Sequence, residues 1–218
     1  MATTKRKVDN LLALAVLSTL WVRPMHRYEM ASILKERGKD QQLDIKWGSF
    51  YTVVQNMEKH GFVAAVGTDR RGARPERTIY AITDAGRTEL LDWTRELLAT
   101  FTPEHPRFEA GLSVWMLLGP QEVTLLLQTR LGQLEQAVAA QRESMAAHPE
   151  VPRLFLIETE YAAAMLDAEA DWIRGLIAEL TGGTFPGLDM WRTWHETGEL
   201  PVEIAELAEK GALPEPTD

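Results

Sequence analysis

Ser49, Tyr51, Thr52, Gln55, Asn56 and Lys59 fall close together in the stretch GSFYTVVQNMEKHG, residues 48–61. Amides such as Gln55 and Asn56 can pair bidentately with adenine, and a threonine can touch the thymine methyl. Hydroxyls such as those of Ser49 and Tyr51 can bond phosphate oxygens. A little further on, RRGARPER (70–77) gathers Arg70, Arg71, Arg74 and Arg77 around Gly72 and Pro75, which favour a tight exposed turn. Guanidinium groups there can hold phosphates or enter a narrow minor groove. Taken alone, the polar stretch is equally a solvated helix face and the arginines a solvated loop. Tyr51 has two placements open to it, facing the groove or packing under the strands that follow.

The surrounding sequence must position these groups. Phe50, Val53, Val54 and Met57 stand at i, i+3, i+4 and i+7, which gives one apolar stripe and turns Tyr51, Thr52, Gln55 and Lys59 to the opposite side, with Asn56 at the flank. Upstream, VDNLLALAVLSTLW (8–21) reads as a buried helix that Asp9 or Asn10 can cap and Arg23-Pro24 stops. HRYEMASILKER (26–37) reads as a second helix ended by Gly38. FVAAVG (62–67) and ERTIYAIT (76–83) read as two strands joined across the arginines, and Thr83 can cap a helix running to about 101. Three helices, a hairpin and a further helix form the order of a winged helix-turn-helix with a small β-hairpin wing.

Charge divides the chain. Residues 1–95 carry 16 Lys+Arg against 11 Asp+Glu, and the remaining 123 carry 7 against 21. A basic first part within an acidic chain is consistent with one half meeting a polyanion. Lys5, Arg6 and Lys7 either add to that surface or belong to a solvated N-terminus. The chain has no cysteine, which excludes disulfides, thiolate metal sites and cysteine nucleophiles and suits a cytoplasmic setting. The basic tip and apolar run at the start read as a helix rather than a signal peptide, and no apolar run is long enough to span a membrane. There is no glycine-rich phosphate loop and no Gly-x-Ser-x-Gly elbow, and HETGE (195–199) lacks the His-Glu-x-x-His spacing. The sequence therefore implies no enzyme, no metal site and no cofactor.

After a break at TPEHPR (102–107), FEAGLSVWMLLG (108–119) reads as one short helix, 121–147 as a long one, and 153 to about 181 as another. Their apolar seams include Leu127, Leu131, Leu134 and Val138 on the first long helix and Ile157, Tyr161 and Trp172 on the second. Part of that surface is satisfied by the two helices packing on each other. The rest is expected to meet a second copy of the chain, because winged helices that read DNA usually do so as dimers on paired half-sites. The expected architecture is mainly α: a winged-helix DNA-binding domain over 1–101, a helical dimerisation domain over 102–181, and a C-terminal extension of unassigned role over 182–218 with a short helix at 201–210.

Three stretches, in this order and spacing, resemble the PadR family of bacterial transcriptional regulators. VRPMHRYEM (22–30) is similar to its Pro-x-His-Gly-Tyr-Glu segment, WGSFYTVVQNMEKHGFV (47–63) to its recognition-helix signature, and RRGARPERTIYAITDAGRTEL (70–90) to its wing with the closing Tyr-x-x-Thr-x-x-Gly-Arg motif. Arg27 stands where the family usually has glycine, and Thr52 where proline commonly follows the tyrosine. The C-terminal helices resemble the larger dimerisation domain of the longer PadR subgroup. The resemblance implies a homodimeric regulator of a palindromic double-stranded DNA operator, often a repressor released by a small aromatic effector. Seven tryptophans supply material for an effector pocket, and Trp47 and Trp115 are the favoured contacts, against the plainer reading that they are core or interface residues. A winged-helix protein-interaction module, or an architectural DNA-binding module without ligand sensing, is the alternative.

Overall fold

Asn10 begins the first helix, α1 (Leu11–Val22), by accepting the Leu12 amide hydrogen at 2.9 Å. The computed structural model describes residues 6–39, 47–69 and 77–202 and separates into two compact units, Met1–Pro103 and Glu104–Asp218. In the first unit α1 is apolar on nearly every side and runs through the core, burying Leu12, Val16, Leu17 and Leu20. Its one buried hydroxyl, on Thr19, donates to the Ala15 carbonyl at 2.8 Å, so no polar group is stranded there.

Helix α2 (Arg27–Glu36) is capped by His26, whose Nδ1 accepts the Glu29 amide hydrogen at 3.1 Å. A 3-10 turn (Trp47–Ser49) leads into α3 (Phe50–Lys59), with Ser49 at the N-cap position but without a side-chain capping bond. Gly61, at φ +75, reverses the chain after α3, a conformation glycine adopts without a Cβ penalty. Met30, Leu34, Val54, Met57 and Val63 pack with α1 into one core. Each large aliphatic side chain so buried contributes about 1.5–3 kcal/mol.

The sheet has three strands rather than the two expected: β1 (Met25–His26), β2 (Val63–Asp69) and β3 (Arg77–Ile82), in the order β1-β3-β2 and all antiparallel. The added strand is two residues long, with Met25 opposite Tyr80 and His26 opposite Ile79, too short to leave a periodic signal in sequence. Val66 is an extra residue in β2, since Ala65 faces Tyr80 and Gly67 faces Ile79. Helix α4 (Asp84–Ala99) starts as anticipated, with Thr83 Oγ1 accepting the Gly86 amide hydrogen at 3.0 Å. Arg6 pairs with Glu89 at 2.5 Å and with Glu96, and lies over the Trp93 ring at 5.4 Å. It ties the N-terminal segment to α4, whereas Lys5 lies outside the described residues.

In the second unit, α5 (Arg107–Leu112) is followed by a 3-10 turn (Trp115–Leu117), so the single helix expected over 108–119 is broken. Gly111, Ser113 and Val114 are weak helix formers, and the carbonyls beyond them are engaged elsewhere. Trp191 Nε1 donates to the Met116 and Leu118 carbonyls at 3.0 and 2.9 Å. Helices α6 (Pro120–Ala146) and α7 (Ile157–Gly182) form the anticipated long pair, α7 starting later than the sequence suggested because a 3-10 turn occupies Arg153–Phe155. Val123, Leu127, Leu134, Ala170, Ile173 and Leu180 fill the core of this unit, and ion pairs Arg130–Glu169 (2.6 Å) and Arg142–Asp167 tie α6 to α7.

Helix α8 (Leu188–Thr197), between Gly187 at φ +84 and Gly198 at φ +74, lies in the stretch where no helix was expected. It buries Leu188 and Trp191 in the second core. The helix expected at 201–210 falls almost wholly outside the described residues. Trp191→Phe keeps the ring and removes the donor to two carbonyls. We expect it to cost about 1–2 kcal/mol, seen as a lower midpoint in thermal unfolding followed by circular dichroism.

Candidate nucleic-acid interface

Helix α3 separates its side chains as its periodicity requires. Phe50, Val53, Val54 and Met57 are buried, while Tyr51, Thr52, Gln55, Asn56 and Lys59 are all exposed. Five of the six residues proposed on this helix therefore share one accessible face, and Ser49 is half-buried at its start. The stiff, buried side fixes the outward side, so the amides project from a rigid element rather than a loop.

Tyr51 does not pack under the strands; it is 41% exposed. Its ring meets Tyr28 edge-on at 6.2 Å, and the Arg27 guanidinium stands 5.0 Å from its centroid. Arg27 also lies 5.8 Å from the Tyr80 ring, and Arg77 lies 5.2 Å from that of Tyr28. Arg27 and Tyr28 at the start of α2, Tyr51 at the start of α3, and Arg77 and Tyr80 on β3 thus form one array of cations on aromatic faces. The Tyr28 side chain raises the Tyr51 pKa above the ordinary phenol value. Burial raises the Tyr80 pKa as well.

Among the described residues no carboxylate forms an ion pair with Arg27 or Arg77. Elsewhere many arginines face a carboxylate, among them Arg6, Arg23 and Arg95 in the first unit and Arg130, Arg142, Arg153, Arg174 and Arg192 in the second. Guanidiniums without a carboxylate ion pair thus stand beside α3, with the Glu58 carboxylate of that helix near Tyr80. Of the wing arginines, Arg77 is in place on β3 and half-buried, while Arg70, Arg71 and Arg74 lie outside the described residues. Sequence reasoning passed over Tyr28, whose available signal was an aromatic residue in the first turn of a polar helix, beside the Arg27 it had noted only as a departure.

Residues 16–92 match the model of the transcriptional regulator PadR-like family. Over this stretch the chain is similar to that family. Its members are transcriptional regulators rather than enzymes. Among solved structures, PadR of Bacillus subtilis in complex with operator DNA matches with a TM-score of 0.64 and 22% identity, over 78% of this chain and 99% of that one. The same protein in complex with p-coumaric acid gives 0.62 and 21% over the same shares. The virulence activator AphA of Vibrio cholerae gives 0.59 and 21%, over 78% of this chain and 98% of that one. At these identities the likeness shows the fold, that of a PadR-like winged helix with a large helical region beyond it. No curated protein matches the chain.

The remaining sequence-derived residues separate by environment. Leu127, Leu134 and Val138 are buried, and Leu131 is half-buried against the second core. Ile157, Tyr161 and Trp172 are exposed on α7, where Met165 continues their line at i+4 from Tyr161. Trp47 packs on Phe50 at 5.8 Å beneath Lys35, and Trp115 packs on Trp191 at 5.0 Å and Phe185 at 5.6 Å. The two tryptophans belong to different units. Among the described residues no helix is long and apolar enough to cross a membrane.

Proposed function

We propose that the chain is a sequence-specific DNA-binding transcriptional regulator that acts as a homodimer on a palindromic operator and represses until a small aromatic effector releases it. The observation that carries this reading is the exposed Tyr51/Thr52/Gln55/Asn56/Lys59 face of α3 beside guanidiniums without carboxylate partners. Gln55 and Asn56 read base edges in the major groove, Thr52 touches a thymine methyl, and Ser49, Tyr51 and Lys59 hold backbone. Arg70, Arg71, Arg74 and Arg77 hold phosphates or the minor groove beside it. The operator complex of the B. subtilis PadR supports duplex DNA as the partner.

The exposed α7 stripe of Ile157, Tyr161, Met165 and Trp172 supports a second copy as the dimer partner, with Leu127, Leu131, Leu134 and Val138 bracing the helix that presents it. Two recognition helices then meet half-sites about 34 Å apart. For the effector, Trp47 and Trp115 are the proposed aromatic contacts, each half-exposed at the margin of its own core. The p-coumarate complex of the B. subtilis PadR supports this ligand class. A ligand releases the operator only by favouring a conformation that binds DNA less well.

Selection of bound genomic duplexes tests the regulator reading. Enrichment of a palindrome in a promoter supports it, and recovery of duplexes without a shared sequence favours an architectural module. Replacing Arg70, Arg71 and Arg74 together with alanine is expected to weaken operator binding and to lower the salt slope by about 0.9 log units per lost phosphate contact. Sedimentation should show the dimer intact. An unchanged slope removes the wing from the interface.

A further inference from the structure

We propose that the first turn of α2 forms a phosphate-binding site of its own, in which Arg27, resting on the rings of Tyr51 and Tyr80, and the hydroxyl of Tyr28 contact the duplex backbone beside the recognition helix. The inference rests on the DNA-binding reading and adds a contact that neither α3 nor the wing supplies. Arg27 lies 5.0 Å from the Tyr51 centroid and 5.8 Å from that of Tyr80. A guanidinium held against ring faces loses little hydrogen-bonding capacity, because its N–H donors lie in its own plane and point outward. No carboxylate among the described residues consumes them.

Tyr28 is 59% exposed, and its ring meets that of Tyr51 edge-on at 6.2 Å. The exposed phenol of Tyr28 has an O–H to donate. Arg77, 5.2 Å from the centroid of the Tyr28 ring, adds a second cation beside the same tyrosine. One face thus presents two guanidiniums and a phenolic donor, the chemistry that holds a phosphodiester. The helix preceding a recognition helix crosses the DNA backbone in helix-turn-helix complexes, which places this patch against phosphate rather than base. Arg27 occupies the position where the PadR segment usually carries glycine, so the contact is a property of this chain.

Fluorescence anisotropy on the full-length protein tests the site, using a selected operator and a scrambled duplex between 50 and 200 mM salt. Arg27→Ala is expected to weaken both duplexes by the same factor and to lower the slope of log K against log salt by about 0.9. Its deficit relative to wild type then shrinks about 3–4-fold across that salt range. Arg27→Lys keeps the slope because the charge remains. Tyr28→Phe weakens both duplexes with the slope unchanged, since it removes a neutral donor.

An Arg27→Ala slope equal to wild type overturns the proposal. So does a loss confined to the operator, which would make Arg27 a support for base reading by Tyr51. Wild-type protein that binds neither duplex refutes the DNA-binding reading itself, a result distinct from either. Unchanged thermal melting of each variant shows that the comparison is made on folded protein.

Discussion

Gly86→Ala is expected to destabilise the winged-helix unit strongly. The start of α4 lies so close to the residue just before β2 that a Cβ on Gly86 would stand 2.0 Å from the Phe62 carbonyl oxygen and 2.9 Å from its carbon. Both are backbone atoms, so no side chain can move aside. The approach is fixed by Thr83, whose Oγ1 donates to the Gly61 carbonyl at 2.6 Å and whose amide donates to Phe62 at 3.1 Å. Its hydroxyl also caps α4 through the Gly86 amide. Relief requires α4 to shift away, breaking these bonds and uncovering Leu90 and Trp93 in the core.

Alanine recovers up to about 1 kcal/mol over glycine in a helix, whereas overpacking against backbone costs about 3 kcal/mol or more. A net loss of about 2–3 kcal/mol lowers the melting temperature of a domain this size by about 10–20 °C. Circular dichroism melting measures it directly, and operator binding should fall with the folded fraction. A melting temperature within about 2 °C of wild type would mean that α4 does not dock as described.

Tyr161→Glu, alone and combined with Trp172→Glu, is expected to separate the proposed dimer without disturbing the fold. Both side chains are exposed on α7, at 66% and 52%, so a carboxylate there costs the isolated unit little. In an isologous interface each substitution is met by the partner's equivalent surface. An introduced charge is thus buried twice, on a unit that is already strongly acidic. The double variant should sediment as a monomer at micromolar concentration. Operator affinity should fall about 100-fold or more, because two half-sites no longer act together. Binding of a single half-site should be nearly unchanged. A variant that remains dimeric moves the interface off this face of α7.

The legible parts of the sequence were those in which local physics and tertiary structure agree. The Phe50/Val53/Val54/Met57 stripe fixed which side of α3 is exposed, and Asn10, Thr83, Gly38 and Gly61 marked helix ends that the structure retains. The Thr83 and Gly86 spacing was recognisable as a motif, although its reason, a backbone contact with Phe62, exists only in three dimensions. Less legible features depend on distant partners. The two residues of β1 become a strand only because β3 passes beside them. The helix expected through Val114 is interrupted where Trp191 and His195, from a helix the sequence did not suggest, draw on the Met116 carbonyl at 3.0 Å. The seam residues of α6 and α7 looked alike in sequence because periodicity identifies an apolar side without naming its partner. Packing then turns Leu134 inward and leaves Tyr161 outward. The Arg27–Tyr28–Tyr51–Arg77 array joins three elements and has no contiguous signature.

The role assigned to α3 is decided by one comparison. Affinities for a selected operator and for a scrambled duplex are measured at fixed salt for wild type and for Gln55→Ala with Asn56→Ala. Wild type should prefer the operator by about 1,000-fold or more. The double variant should lose most of that preference, at about 1–3 kcal/mol for each base contact, and still bind the scrambled duplex as wild type does with the same salt slope. A variant that keeps full preference for the operator, or a wild-type protein that shows none, would contradict base reading by the exposed face of α3.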